Sequence, residues 1–366
     1  MKYREIVENT LARIIPADEK AMEAARARQD DLAKPPRSLG QLEEIGIRLA
    51  GMTGKVHNEI RRRRIVVLCA DNGVWDEGVS SSPRSVTLAQ TINLTRGLTG
   101  ASSLARHFGD EIRVVDVGVH CDVPCAAVVN RKVAYGTKNF RHEPAMTREQ
   151  AYQAMAAGIE QAEQAKAERV DILGVGEMGV GNTTTSSAVL AALTGLAIED
   201  VTGRGGGLLD KDFQTKKKVI AEALEKHCPD RNDPIDVLSK VGGFDLCAMC
   251  GVFLGAAANH IPVVIDGFIS VVAALCASRM SAHAKEYFFP SHASFELGYA
   301  HAIGELGLEP FLTLGMRLGE GSGCPLAFLI IEAACAIMNE MGTFQEAAID
   351  GTDLEEIRAG DQFTVQ

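Results

Sequence analysis

Tryptophan occurs once in 366 residues and aromatic side chains make up only 5% of the chain, too few for a sandwich knit together by Tyr and Trp. Positive charge is also in deficit. Lys and Arg number 37 against 48 Asp and Glu, a net charge of −11, which argues against a nucleic-acid partner. No apolar run reaches the ~20 residues that cross a bilayer, and the two most hydrophobic stretches, residues 261–277 and 325–338, carry Asp266 and Glu332. No membrane partner is expected. Lys2, Arg4, Glu5 and Glu8 interrupt the N-terminal apolar residues, unlike the unbroken core of a signal peptide. Nine scattered cysteines fit reduced thiols in the cytoplasm better than a disulfide framework. Cys247 and Cys250 form a CxxC, and His120, Cys121 and Cys125 a compact group, but neither has the second pair of a zinc pattern, so no metal is expected.

Glycine, by contrast, is abundant, with 36 residues. Short apolar runs rich in β-branched residues recur at Ile65–Ala70, Ile112–Val117, Arg169–Leu173, Ile261–Ile265 and Phe311–Leu314, each leading into a glycine-containing segment. Between them lie Ala- and Leu-rich stretches at Thr147–Lys166, Thr183–Leu193, Asp212–Lys226, Phe244–Asn259 and Phe268–Ser278, long enough for crossover helices. Such alternation predicts βαβ units in an α/β fold with a largely parallel sheet. The charged, strand-poor ends predict a small helical domain built from residues 1–30 and 340–366, with 31–339 as the large α/β domain.

Parallel sheets bind ligands beyond the carboxyl ends of their strands, so the glycine-rich segments there are where chemistry is sought. The first, Asp171–Ser187, reads DILGVGEMGVGNTTTSS. Its free backbone amides suit a phosphate, while Gly174, Gly176 and Gly179 also satisfy the dinucleotide fingerprint, with Asp200 a candidate ribose ligand. A tight turn capped by Thr183 is the plainer reading, but it leaves Glu177, set among glycines, without a purpose. The second, VTGRGGGLLD at 201–210, precedes Lys216, Lys217 and Lys218, of which at most one is expected to face inward. The third, MRLGEGSG at 316–323, places Glu320 between Gly319 and Gly321, open to a ligand as a general base would be. The four arginines 61–64 read as a solvated basic run.

At these loops the sequence resembles the nicotinate-nucleotide–dimethylbenzimidazole phosphoribosyltransferase family. The shared segments are KPPRSLGQLE at 34–43, ADNGVWDEGVS at 70–80, VTLAQ at 86–90, VDVGV at 115–119, GTKNF at 136–140, GEMGVGNTTTSS at 176–187 and TGRGGGL at 202–208. They continue with VGGFDL at 241–246, GAAANHIPVVIDGFIS at 255–270, SHASFELG at 291–298 and RLGEGSG at 317–323. The resemblance implies a Rossmann-like large domain, a small helical domain from both termini, and a homodimer with active sites near the subunit interface. It implies transfer of the phosphoribosyl group of nicotinate mononucleotide to a benzimidazole-type base, giving an α-ribotide and nicotinate without a cofactor.

Carried over residue by residue, the resemblance makes Glu320 the base and Glu177 a second carboxylate near the ribosyl cation. It sets Lys216 by the phosphate, with Gly179, Ser294, Asp266 and Gly319 on ligand-lining segments. Ser82 and Gln90, flanking Pro83 and Val86, would line the azole site with Leu318 beneath the ring. The chain departs from the family pattern at Asn72, where His is usual, at Arg37, where Gly is usual, and at Gly315, where an acid is usual. Two other readings are open: an NAD-dependent Rossmann oxidoreductase, which leaves Glu320 unused, and a non-catalytic nucleotide sensor, which needs neither glutamate.

Overall fold

The computed structural model describes residues 2–350; the part of the expected small domain at 351–366, and residue 1, lie outside the described residues. The chain runs α1 (Lys2–Leu11), α2 (Glu19–Asp31), α3 (Gln41–Thr53), β1 (Arg63–Ala70), α4 (Ser85–Arg96), α5 (Gly100–Phe108), β2 (Glu111–Gly118) and β3 (Val129–Asn130). It continues through α6 (Arg148–Ala167), β4 (Ile172–Met178), α7 (Asn182–Thr194), α8 (Ile198–Val201), α9 (Asp210–His227), α10 (Pro234–Val241), α11 (Phe244–Ala258) and β5 (Val263–Ile265). Last come α12 (Phe268–Met280), β6 (Phe288–Pro290), α13 (Tyr299–Leu306) and α14 (Cys324–Glu340). No helix among the described residues is long and apolar enough to cross a membrane.

The six strands form one sheet in the order β3-β2-β1-β4-β5-β6, every pair parallel. That is the doubly wound order, in which the winding reverses between β1 and β4 and opens a crevice at their carboxyl ends. β1, RRIVVLCA, is buried at every position after Arg63, as a central parallel strand covered on both faces must be. Helix α11 is buried along its whole length and packs against β1, β2 and β4, with α6 outside it. Two glycines set that spacing. A Cβ at Gly158 would stand 1.9 Å from the Ala248 carbonyl oxygen, and one at Gly251 2.0 Å from that of Met155, so α6 and α11 meet backbone to backbone.

The runs expected at Ile65–Ala70 and Ile112–Val117 lie on β1 and β2, and the last three residues of Ile261–Ile265 form β5. Two strand expectations are corrected. The run placed at Arg169–Leu173 lies further on, because β4 begins at Ile172 and carries Gly174, Gly176 and Glu177 inside the strand. Phe311–Leu314 makes only a single bridge, Leu312 with His292; Leu314 is exposed, and the left-handed Gly315 that follows turns the chain away. The sheet's edge is instead Phe288–Pro290, three buried residues too few to register as an apolar run.

The chain divides into two compact units at other positions than 30/31 and 339/340: the N-terminal residues to Ile15 with Arg62–Ala327, and Pro16–Arg61 with the chain from Phe328. Helix α1 belongs to the first because it packs on α6 and α11, where Arg13 pairs with Glu163. Helix α3 belongs to the second, packing on α2 around Ala25, Ile47, Ala50 and Met338.

Candidate active site

The carboxyl ends of the strands open on one cavity of about 300 Å³ in the large unit, lined by residues following β1, β4, β5 and β6. Glu177 comes from the end of β4, Gly179–Thr183 from the loop and first turn of α7, Asp266 from just after β5, and Leu318–Glu320 from the segment before α14. Ser82, Val86 and Gln90 close the opposite side from α4 and the loop before it. The close approach of β4's exit to β1 demands glycine: a Cβ at Gly179 would stand 2.1 Å from the Ala70 carbonyl oxygen.

The floor is acidic. Glu177 is buried, and burial followed by the charge of Asp245 pushes its pKa up to about 8. Asn182 donates its side-chain amide to Glu177 Oε2, and the backbone N–H of Glu320 donates to Oε1 at 3.3 Å. Burial likewise raises Asp245, on α11, to about 6 and Asp266 to about 7. Asp266 accepts the N–H of Gly321 at 3.0 Å and of Gly323 at 2.7 Å. Glu320 reaches toward α4 and α5: Oε1 accepts from Gln90 Nε2 at 3.4 Å, and Oε2 accepts the Ala101 N–H, in the first turn of α5, at 3.2 Å. Burial makes the charged forms of Glu177 and Asp245 costly without a cation nearby, so this floor is complementary to positive charge on a ligand.

The other end is set for an anion. Helix α7 points its N-terminus, the positive end of its dipole, into the cavity. Lys216 on α9 is fully buried behind that turn, its Nζ donating to Thr183 Oγ1 at 2.8 Å and to the Gly203 carbonyl at 3.0 Å. Burial lowers its pKa to about 8, opposed by the charge of Glu296. Lys217 instead lies over the Phe213 ring and Lys218 pairs with Glu222.

Glu320, Glu177, Gly179, Ser294, Asp266, Ser82, Gln90, Leu318 and Gly319 all border the cavity, whereas Lys216 reaches it through Thr183. Asn182, Asp245 and the Ala101 amide were not anticipated; an Asn directly after a glycine and an Asp opening a long apolar helix were the available signals. The dinucleotide fingerprint fails on geometry, because Gly174 and Gly176 sit within β4 and bear no turn. Asn72 is buried, its side-chain amide 3.5 Å from Asp245 Oδ2. Arg37 and Gly315 both hold left-handed backbone, φ +59° and +64°, which explains the usual glycine at 37 and suits the glycine this chain carries at 315. Cys247 and Cys250 are buried thiols on α11.

A doubly wound sheet whose cavity has an acidic floor at one end and a helix N-terminus at the other suits a phosphorylated ligand that carries positive charge. Residues 14–349 match the profile of a family described as phosphoribosyltransferase (DBI_PRT). The chain is 53% identical over 334 residues to the nicotinate-nucleotide–dimethylbenzimidazole phosphoribosyltransferase of Clostridium perfringens strain ATCC 13124, covering 91% of this chain and 92% of that one. It is 47% identical over 354 residues to the enzyme of the same name from Clostridium tetani, covering 96% and 98%. The crystal structure of CobT from Thermus thermophilus superposes with a TM-score of 0.87 at 41% identity, over 90% of this chain and 99% of that one. The chain belongs to this phosphoribosyltransferase family.

Proposed function

We propose that the protein transfers the 5-phosphoribosyl group of nicotinate mononucleotide to 5,6-dimethylbenzimidazole or a related lower-ligand base, releasing nicotinate and forming the α-ribotide used in cobalamin nucleotide-loop assembly. The observation that carries this reading is the bipolar cavity: buried carboxylates at one end, an α7 N-terminus backed by Lys216 at the other. A nucleotide whose base is a pyridinium matches that polarity, its phosphate lying by Thr183 and its cationic ring and ribosyl carbon over the acids.

The chemistry follows from the groups present. The pyridinium leaves with the C–N electron pair as a neutral ring nitrogen, so departure needs no acid. The unprotonated azole nitrogen attacks the anomeric carbon from the opposite face, inverting it, and the proton of the other ring nitrogen goes to Glu320. Gln90 and the Ala101 amide hold that carboxylate toward the α4 side, where Ser82, Val86 and Leu318 supply a slot for a flat ring. Glu177, with Asp245 beside it, stabilises positive charge as it grows on the ribosyl group.

The chain works as a homodimer in this reading. Leu209, Phe295, Leu297, Leu314 and Leu318 are exposed apolar side chains on the loops around the cavity, a surface suited to a second copy; light scattering at twice the chain mass supports it, and a monomer refutes it. Free thiols throughout the described residues accord with a reducing cytoplasm. The function is tested by incubation with nicotinate mononucleotide and a panel of benzimidazoles, adenine and phenols, with products read by mass. Nicotinate and an α-ribotide are expected. Release of nicotinate with no acceptor in the panel would overturn the transferase reading.

A further inference from the structure

Glu320 is the middle of three consecutive left-handed residues, with φ of +84° at Gly319, +63° at Glu320 and +87° at Gly321. Glycine adopts that region freely; a glutamate there is strained, and such a conformation persists only where its surroundings over-determine it. The restraint is visible. Asp266, buried just after β5, takes both of its carboxylate oxygens to this turn, Oδ2 to the Gly321 N–H and Oδ1 to the Gly323 N–H. Its own backbone is fixed on each side, the N–H donating to Ser270 Oγ at 3.2 Å and the carbonyl accepting the Ser291 hydroxyl at 2.9 Å. The carboxylate that resemblance would hand to a substrate is therefore already engaged by the protein.

We infer that Asp266 is a positioning residue for the reaction, an anionic clamp that holds the Gly319–Gly323 turn in the conformation presenting the Glu320 carboxylate to the acceptor. The inference rests on Glu320 being the base. It predicts an effect on turnover with no effect on nucleotide binding. Asp266→Asn keeps shape and one acceptor oxygen but sets an NH₂ against a backbone N–H, and a slight misplacement of a reacting group costs on the order of 10²-fold in rate.

The test is a double-mutant cycle. Asp266→Asn should lower kcat on the order of 10²-fold at unchanged KM for nicotinate mononucleotide. Asp266→Asn with Glu320→Gln should be no slower than Glu320→Gln alone, because misplacing an absent base costs nothing. With 1-methylbenzimidazole, which has no N–H proton to lose, Asp266→Asn should match the wild type. A raised KM for the mononucleotide, or full additivity in the double variant, would overturn the clamp in favour of direct substrate contact. If Glu320→Gln alone leaves turnover intact, the base assignment is what has failed.

Amide exchange in the unmutated protein judges the clamp separately, even if Asp266→Asn does not fold. The groups facing Asp266 are Glu320 and Cys324 beside the turn, Glu177 on β4, Tyr299 on α13 and His292 after β6. Burial keeps His292 neutral down to about 4 and raises Tyr299 and Cys324 away from neutrality; Glu177, raised to about 8, accepts from the Glu320 N–H, whereas the Gly321 and Gly323 amides bond Asp266. Loss of protection at Gly321 and Gly323, corrected for intrinsic exchange, should therefore follow protonation of Asp266 as pH falls through about 7. Flat protection of those two amides across that window would overturn the clamp.

Discussion

Replacing Lys216 by Met should make the empty protein more stable and the enzyme worse. Burial brings the lysine from its ordinary 10.5 to about 8, a differential of about 3 kcal/mol at about 1.4 kcal/mol per tenfold. Below about pH 8 folded and unfolded chains both hold the proton, and the folded state bears the full cost. Between about 8 and 10.5 only the unfolded chain holds it, so this contribution makes stability rise with pH; above 10.5 the cost is gone. Met keeps the length of the stem and drops the charge, removing about 3 kcal/mol of penalty at neutral pH. It also leaves the Thr183 hydroxyl and Gly203 carbonyl short of a donor, at about 1 kcal/mol each. The net is about 1 kcal/mol of added stability, a rise of a few degrees in Tm. Loss of the cation behind the Thr183 hydroxyl that faces the phosphate, about 1.5–3 kcal/mol, should raise KM for nicotinate mononucleotide roughly 10- to 100-fold. Calorimetry of the empty protein at pH 7 and initial rates on both substrates measure the two effects. A Tm lower by several degrees with KM unchanged would mean that Lys216 is a structural donor, and the reasoning fails.

Glu320→Gln should bind both substrates, because an amide oxygen can still take the Ala101 N–H, while turnover falls about 10²–10⁴-fold, or about 3–5 kcal/mol. On 1-methylbenzimidazole variant and wild type should differ little; equal loss on both acceptors would move the base assignment to Glu177. Gly179→Ala drives a Cβ to 2.1 Å from the Ala70 carbonyl oxygen and 3.1 Å from Asp245 Oδ2, so stability should fall by about 1–3 kcal/mol with activity falling too. An unchanged denaturation midpoint would show that β1 and β4 can part at their ends.

The central strands were legible because burial on both faces leaves a continuous apolar run, as in Ile65–Ala70, which lies wholly on β1. The same rule erred where burial is not what a run records: Phe311–Leu314 is apolar but half-open, whereas Phe288–Pro290 pairs with β5 through three residues. β4 was placed early because glycine ordinarily marks a strand's end. Gly176 lies inside the strand for packing reasons, since a Cβ there would meet the Glu320 carbonyl oxygen at 2.5 Å. The residues bordering the site could be named from loop composition and resemblance, yet their partners could not. Asp245 opens α11 with no local mark of its proximity to Glu177, and the Ala101 amide has no side-chain signature at all.

The bonds that hold Glu320 join residues far apart in the chain: Gln90 is 230 positions away, Ala101 219 and Glu177 143. During synthesis the last strand is complete at Pro290, about thirty residues before the base has been made. A nascent chain can thus pair its whole sheet and bury its Ala-rich helices while the floor of the cavity still lacks the amides of residues 320–323 that Glu177 and Asp266 accept. Closing loops of that span costs little extra stability but slows folding. The site thus completes after the sheet, and C-terminal truncations that stop between Pro290 and Gly319 should yield chains with a sheet but no turnover.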